Sequence, residues 1–153
     1  MTWRLSSEIY TFDGLHSGPT IVFAGDQPGQ NSGPLYYPPN QWNTVDLKPF
    51  GVSADANFAE GAGFLVITDQ DPSIDDLMVT LRPVGSDLNY GNYQMQAISV
   101  WQGDGRRDVQ PWIVRLDDGC FELYWQKQIG GRPEVATDPT GFLVNMWLTK
   151  WGR

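Results

Sequence analysis

The chain has 153 residues, with 18 acidic and 10 basic side chains for a formal net charge of −8, and 7 tryptophans beside 17 glycines and 11 prolines. That length suits a single domain, 1–153, with a sizeable core; the acidic balance lacks the basic footprint nucleic acid requires and disfavours anionic membranes. The lone cysteine, Cys120, excludes an intrachain disulfide, and neither a signal peptide nor an apolar run of the roughly 18 residues a membrane span needs is visible.

In chain order, Trp3–Phe12 is a mixed strand candidate, and Thr20–Ala24 (TIVFA) is a short continuous apolar run suited to burial on both faces. Gly25–Gln41 (GDQPGQNSGPLYYPPNQ) has neither the helical nor the strand period and carries the Tyr36-Tyr37 pair. A loop of that length inside a compact domain points to function or to an interface. Trp42–Leu47 is a weaker strand that stops before Pro49, and Ser53–Glu60 (SADANFAE) predicts one helical turn capped by Ser53 and ended by Gly61. Gly63–Thr68 (GFLVIT) is strongly β. Asp69, Asp71, Asp75 and Asp76 form an acidic loop whose carboxylates suit calcium but lack the spacing of a calcium-binding helix–loop–helix, so a charged turn is the simpler reading.

Leu77–Leu81 sets Leu77, Val79 and Leu81 against Met78 and Thr80, and Tyr93–Trp101 follows as a further strand. Trp112–Leu116 (WIVRL) is expected to hairpin into Cys120–Gln126 through Asp117-Asp118-Gly119, a tight-turn signal. In the second arm Phe121, Leu123 and Trp125 point one way, Glu122 and Tyr124 the other. After a Gly- and Pro-rich stretch, Gly130–Thr140, the run Phe142–Trp151 places Phe142, Val144, Met146 and Leu148 on one face. Strict alternation leaves Trp147 and Trp151 on the other, with Leu143, Asn145 and Thr149.

Eight or nine short strands divided by turn signals predict an all-β antiparallel sandwich, with a jelly roll preferred over an immunoglobulin-like arrangement. Residues that perform catalysis are scarce. His16 is the only histidine, so neither a zinc set nor a nucleophile–base pair is expected, and no cofactor or metal is assigned. Cys120 reads as a structural thiol. Glu122, mid-strand between aromatics, is the one position for a general acid, and a second carboxylate would have to face it; a solvated strand residue is the competing reading. The surplus of aromatics is the stronger lead, since exposed indoles suit sugar rings and protein interfaces alike. Tyr36, Tyr37, Trp42 and Trp101 are the candidate contact residues, the last at a strand end beside Gly103–Arg107. Arg106 and Arg107 are placed to add hydrogen bonds to a ligand.

Four pieces carry a resemblance: WNTVDLKPFGVSADA (Trp42–Ala56), GFLVITD (Gly63–Asp69), GDGRRD with QPWIVRLDDGCFELYW (Gly103–Trp125), and GFLVNMWLTKWGR (Gly141–Arg153). Together they look like β-sandwich domains of tailed bacteriophages and their metagenomic relatives, found in virion or tail-fibre-type proteins. The resemblance implies a small non-enzymatic adhesion or assembly module, a homotrimer burying part of the Trp147/Trp151 face. A glycan or host-surface ligand is the implied partner, on a virion-associated particle. A lectin-like carbohydrate-binding sandwich is the alternative, and a glycoside hydrolase using Glu122 the second alternative.

Overall fold

A computed structural model describes residues 3–5, 18–25, 29–67, 75–89, 95–99, 106–129, 132–133 and 141–153. Ten strands run through them: β1 (Trp3–Leu5), β2 (Thr20–Gly25), β3 (Asn43–Asp46), β4 (Phe58–Ile67), β5 (Asp75–Arg82), β6 (Met95–Ser99), β7 (Arg106–Arg115), β8 (Cys120–Ile129), β9 (Arg132–Pro133) and β10 (Phe142–Gly152). In one sheet β10 is flanked by β4, with β7 beyond it, while β1 and β2 share the other flank end to end. In the second sheet β8 is flanked by β5 and then β6, with β3 and β9 sharing its other flank. Every pairing is antiparallel. The sheets pack face to face, so the expected all-β sandwich is the observed architecture.

Alternation along each strand builds the layer between the sheets. Phe121, Leu123 and Trp125 of β8, Leu77, Val79 and Leu81 of β5, Val144 and Met146 of β10, and Leu65 and Ile67 of β4 are all buried in it. Aromatic rings meet across it: Trp125 and Phe142 at 5.2 Å between centroids, Trp112 and Phe121 at 5.9 Å. The inner row of β8 continues to Lys127, whose ammonium lies 6.0 Å from the centre of the Phe142 ring. Two glycines of β4 make room for large neighbours. A Cβ on Gly61 would sit 2.5 Å from the Trp112 ring and 1.9 Å from the Trp147 carbonyl oxygen, and one on Gly63 would sit 2.4 Å from Met95 Sδ.

Three expectations are corrected. First, β7 and β8 do not form a hairpin. The turn between them is tight, with Asp117 and Cys120 exchanging backbone hydrogen bonds of 3.0 and 2.9 Å and with Asp118 and Gly119 both at positive φ. Yet β7 pairs with β4 in one sheet and β8 with β5 in the other. The chain crosses the core at Leu116, and this crossing lets Trp112 and Phe121 face each other rather than lie side by side. Second, Trp147 and Trp151 do not share a face. The β10–β4 register shifts between Leu148 and Lys150, so Thr149 is an extra residue and the alternation changes phase. Trp151 thereby joins the core cluster, while Trp147 lies on the outer side of its sheet; each is buried within the single chain, at 7% and 1% exposure. Third, Ser53 does not start a helix. Ala56 N–H donates to Ser53 O at 3.0 Å in a turn, and Phe58–Glu60 already belong to β4. The helical turn among the described residues is a 3-10 turn at Lys48–Phe50, ended by Gly51 at φ 84°.

Candidate functional site

The outer face of the β8 sheet gathers polar and aromatic side chains. Register places Arg82 of β5 and Thr44 of β3 on either side of Glu122, and Thr80 beside Tyr124. Arg82 Nε–H donates to Glu122 Oε2 at 2.5 Å and Nη1–H donates to the Leu88 carbonyl at 2.7 Å. The guanidinium is thus held at two points, and its side chain is only 15% exposed. Trp42, directly before β3, lies on it: the guanidinium carbon is 3.6 Å from the centre of the indole. On the other flank the Tyr124 ring meets Trp42 at 5.4 Å, tilted by 56°. Tyr124 Oη–H in turn reaches Gln126 Oε1 at 3.3 Å, and Gln126 Nε2 has no hydrogen-bond partner among the described residues. Trp42, Arg82, Glu122 and Tyr124 therefore form a partly exposed platform whose rings and charges are braced by one another. Cation–π contact and a two-point guanidinium clamp fix side chains that would otherwise sample many rotamers.

A long loop frames one end of the platform. Asn40 N–H donates to Trp125 O at 2.9 Å, and the buried Trp125 Nε1–H donates to Tyr37 O at 2.6 Å. Tyr36 and Tyr37 pack partly buried against the core. Below them, Lys48 Nζ donates to Asp118 O at 2.8 Å and lies 3.7 Å from Cys120 Sγ. Burial pushes the Tyr37 phenol above its ordinary range, with added repulsion from Asp46 and Cys120. Burial likewise raises the Cys120 thiol, Asp46 adding to the shift and Lys48 opposing it. Hydrogen bonding to Asp118 raises the Lys48 ammonium.

The predicted contact residues are not all brought together. Trp42 is in the platform, and Tyr36 and Tyr37 are half-buried in the adjoining loop. Arg107 stands exposed on β7 in the opposite sheet, in register with Val66. Arg106 opens β7 opposite Ile67. Trp101, His16, Asp69 and Asp71 lie outside the described residues. Reading the sequence alone missed Arg82 and Tyr124. The available signal was register: a strand with Leu81 facing inward presents Arg82 outward, beside whichever neighbour carries Glu122.

Among the described residues no three His, Cys, Asp or Glu side chains gather into a metal-ligating set. No helix among them is long and apolar enough to cross a membrane. Comparison with protein-family models and with curated proteins returns no match.

Proposed function

We propose that this protein is a non-enzymatic recognition module that holds a saccharide on the outer face of the β8 sheet. The observation that carries this reading is the braced platform of Trp42, Arg82, Glu122 and Tyr124. A pyranose offers an apolar C–H face and a rim of hydroxyls. An indole packs against the first, and planar guanidinium and carboxylate groups exchange hydrogen bonds with the second. Because Arg82 covers one face of Trp42 and Tyr124 meets the indole from its other flank, the sugar packs against the part of the indole that these two leave exposed. Pre-organisation by the ion pair lowers the entropic cost of binding. The position of the cluster on the outer face of a sheet suits a terminal or branch sugar on a larger glycan.

The geometry of Glu122 supports binding over hydrolysis. Its cross-strand neighbours are a hydroxyl, Thr44, and a cation, Arg82, where a glycosidase would place a second carboxylate. On this reading the resemblance to virion-type domains describes the setting, an adhesive module on a particle.

The test is a glycan array followed by calorimetric titration of the best hit. Trp42→Ala is expected to weaken binding about thirtyfold or more, as for a central aromatic anchor, while Trp42→Phe retains most of it and circular dichroism stays unchanged. A protein that retains no glycan at millimolar concentration, or whose affinity ignores Trp42→Ala, overturns the reading.

A further inference from the structure

The Arg82–Glu122 pair leaves hydrogen-bonding capacity open. Arg82 Nε–H is engaged by Glu122 Oε2 and Nη1–H by the Leu88 carbonyl, while among the described residues neither Arg82 Nη2 nor Glu122 Oε1 has a hydrogen-bond partner. Each of these atoms is two bonds from its own end of the ion pair, so an open donor and an open acceptor lie close together beside the Trp42 indole. Both side chains are largely withdrawn from water, at 15% and 17% exposure, and a hydrogen bond made there is stronger than one to a fully hydrated pair. Thr44, exposed on the edge strand β3 and level with Glu122, adds a hydroxyl.

The charge around this opening does not favour anions. Arg82 is offset by Glu122 at hydrogen-bond distance. Lys48, which follows β3, is shared by Asp46 and Asp118 at 3.6 and 3.1 Å. Asp87 is exposed in the turn whose Leu88 carbonyl holds Arg82, and the whole chain carries −8. A ligand carboxylate or sulfate brought to Arg82 faces the Glu122 carboxylate and loses hydration with no uncompensated cation to receive it. A hydroxyl meets neither cost. It donates to Glu122 Oε1 or accepts from Arg82 Nη2–H, and two hydroxyls on neighbouring carbons do both at once.

We infer that the platform selects neutral sugars over acidic ones, a vicinal diol binding Glu122 Oε1 and Arg82 Nη2 while the sugar's C–H face packs on the exposed part of Trp42. This selectivity rests on the saccharide reading of the platform and narrows it to hexoses without a carboxylate or sulfate beside the diol. A lone guanidinium is suited to carboxylates and sulfates, which it grips bidentately. One already engaged by a carboxylate is not, so Glu122 keeps an arginine-based site from being an anion site.

The experiment is calorimetric titration of the intact chain with four matched pairs: the methyl glycosides of glucose, galactose and mannose against those of the corresponding uronic acids, and lactose against sialyllactose. In every pair that binds, the neutral member is expected to bind about tenfold or more tightly, because the acidic one sets like charges side by side. Glu122→Gln keeps the shape and an acceptor oxygen but uncovers the charge of Arg82. It is expected to move the neutral-to-acidic ratio about tenfold or more toward the acidic sugar, with circular dichroism unchanged. Thr44→Lys adds a cation at an exposed edge-strand position without removing either member of the ion pair, and is expected to shift the ratio the same way. An acidic sugar that binds wild-type protein as well as its neutral partner, or a ratio that neither variant moves, overturns the selectivity and leaves the saccharide reading standing. Failure of all the sugars to bind at up to about 10 mM overturns both.

Discussion

Cys120 sits at a corner whose surroundings oppose its ionisation. Desolvation raises the thiol from its ordinary 9.0, and Asp46 adds to the shift. Tyr37 is raised from its ordinary 10.0 by the same two kinds of cause. A group whose proton is held more tightly in the folded chain contributes stability below its unfolded value and loses it as pH rises. The unfolding free energy is therefore expected to fall as pH rises past the ordinary values of the thiol, 9.0, and then of the phenol, 10.0. Chemical denaturation at stepped pH measures this, and Cys120→Ser removes the part that begins near the thiol's ordinary value. At neutral pH the thiol should alkylate more slowly than that of an unstructured peptide, as thiolate is the reactive form. At this scale the sequence was a fair guide to side-chain direction. Phe121, Leu123 and Trp125 are inward and Glu122 and Tyr124 outward, as their alternation requires. The sequence was no guide to Arg82 as the partner of Glu122, because residues 40 apart meet only once strand order is known.

Elements obey local signals; their pairing does not. The Asp117-Asp118-Gly119 turn forms where its composition says it should, yet the same tight turn serves a hairpin or a crossing between sheets. The choice falls to the core, which needs Trp112 opposite Phe121. The phase change at Thr149 was equally hidden, since a bulge is a property of two strands and its residue carries no distinctive chemistry. β4 is the element most constrained by these choices. Gly61 lies under the Trp112 ring on one strand and against the Trp147 carbonyl on another, close to the register shift of β10. Gly61→Ala is expected to cost about 3 kcal/mol, the upper range for inserting volume into a packed core. It would appear as a lower urea midpoint with an unchanged slope. Little loss of stability would mean that β10 yields at the bulge.

In the whole molecule neither sheet is a continuous stretch of chain. The β10 sheet draws on β1, β2, β4 and β7, and the β8 sheet on β3, β5, β6 and β9. Each apolar inner face is covered mainly by the other sheet, so the two are expected to unfold together. Far-UV dichroism and tryptophan fluorescence should give coincident denaturation curves; separate midpoints would show a sheet standing alone. The overall class was legible from composition and spacing, because short β-branched and aromatic runs divided by Gly and Pro leave few windows for helices. The order of strands was not, since it rests on contacts between distant segments.

The place of β10 has a consequence for how the chain is made. It pairs with β1, β2 and β4, all of which precede it in sequence. On a ribosome working from the N-terminus, every strand of the β8 sheet has emerged by Pro133. At that moment β1, β2 and the β4–β7 ribbon still lack the strand that joins them. The nascent protein passes through a stage in which one apolar layer is complete and its cover is in pieces, and arrival of Phe142–Gly152 closes both at once.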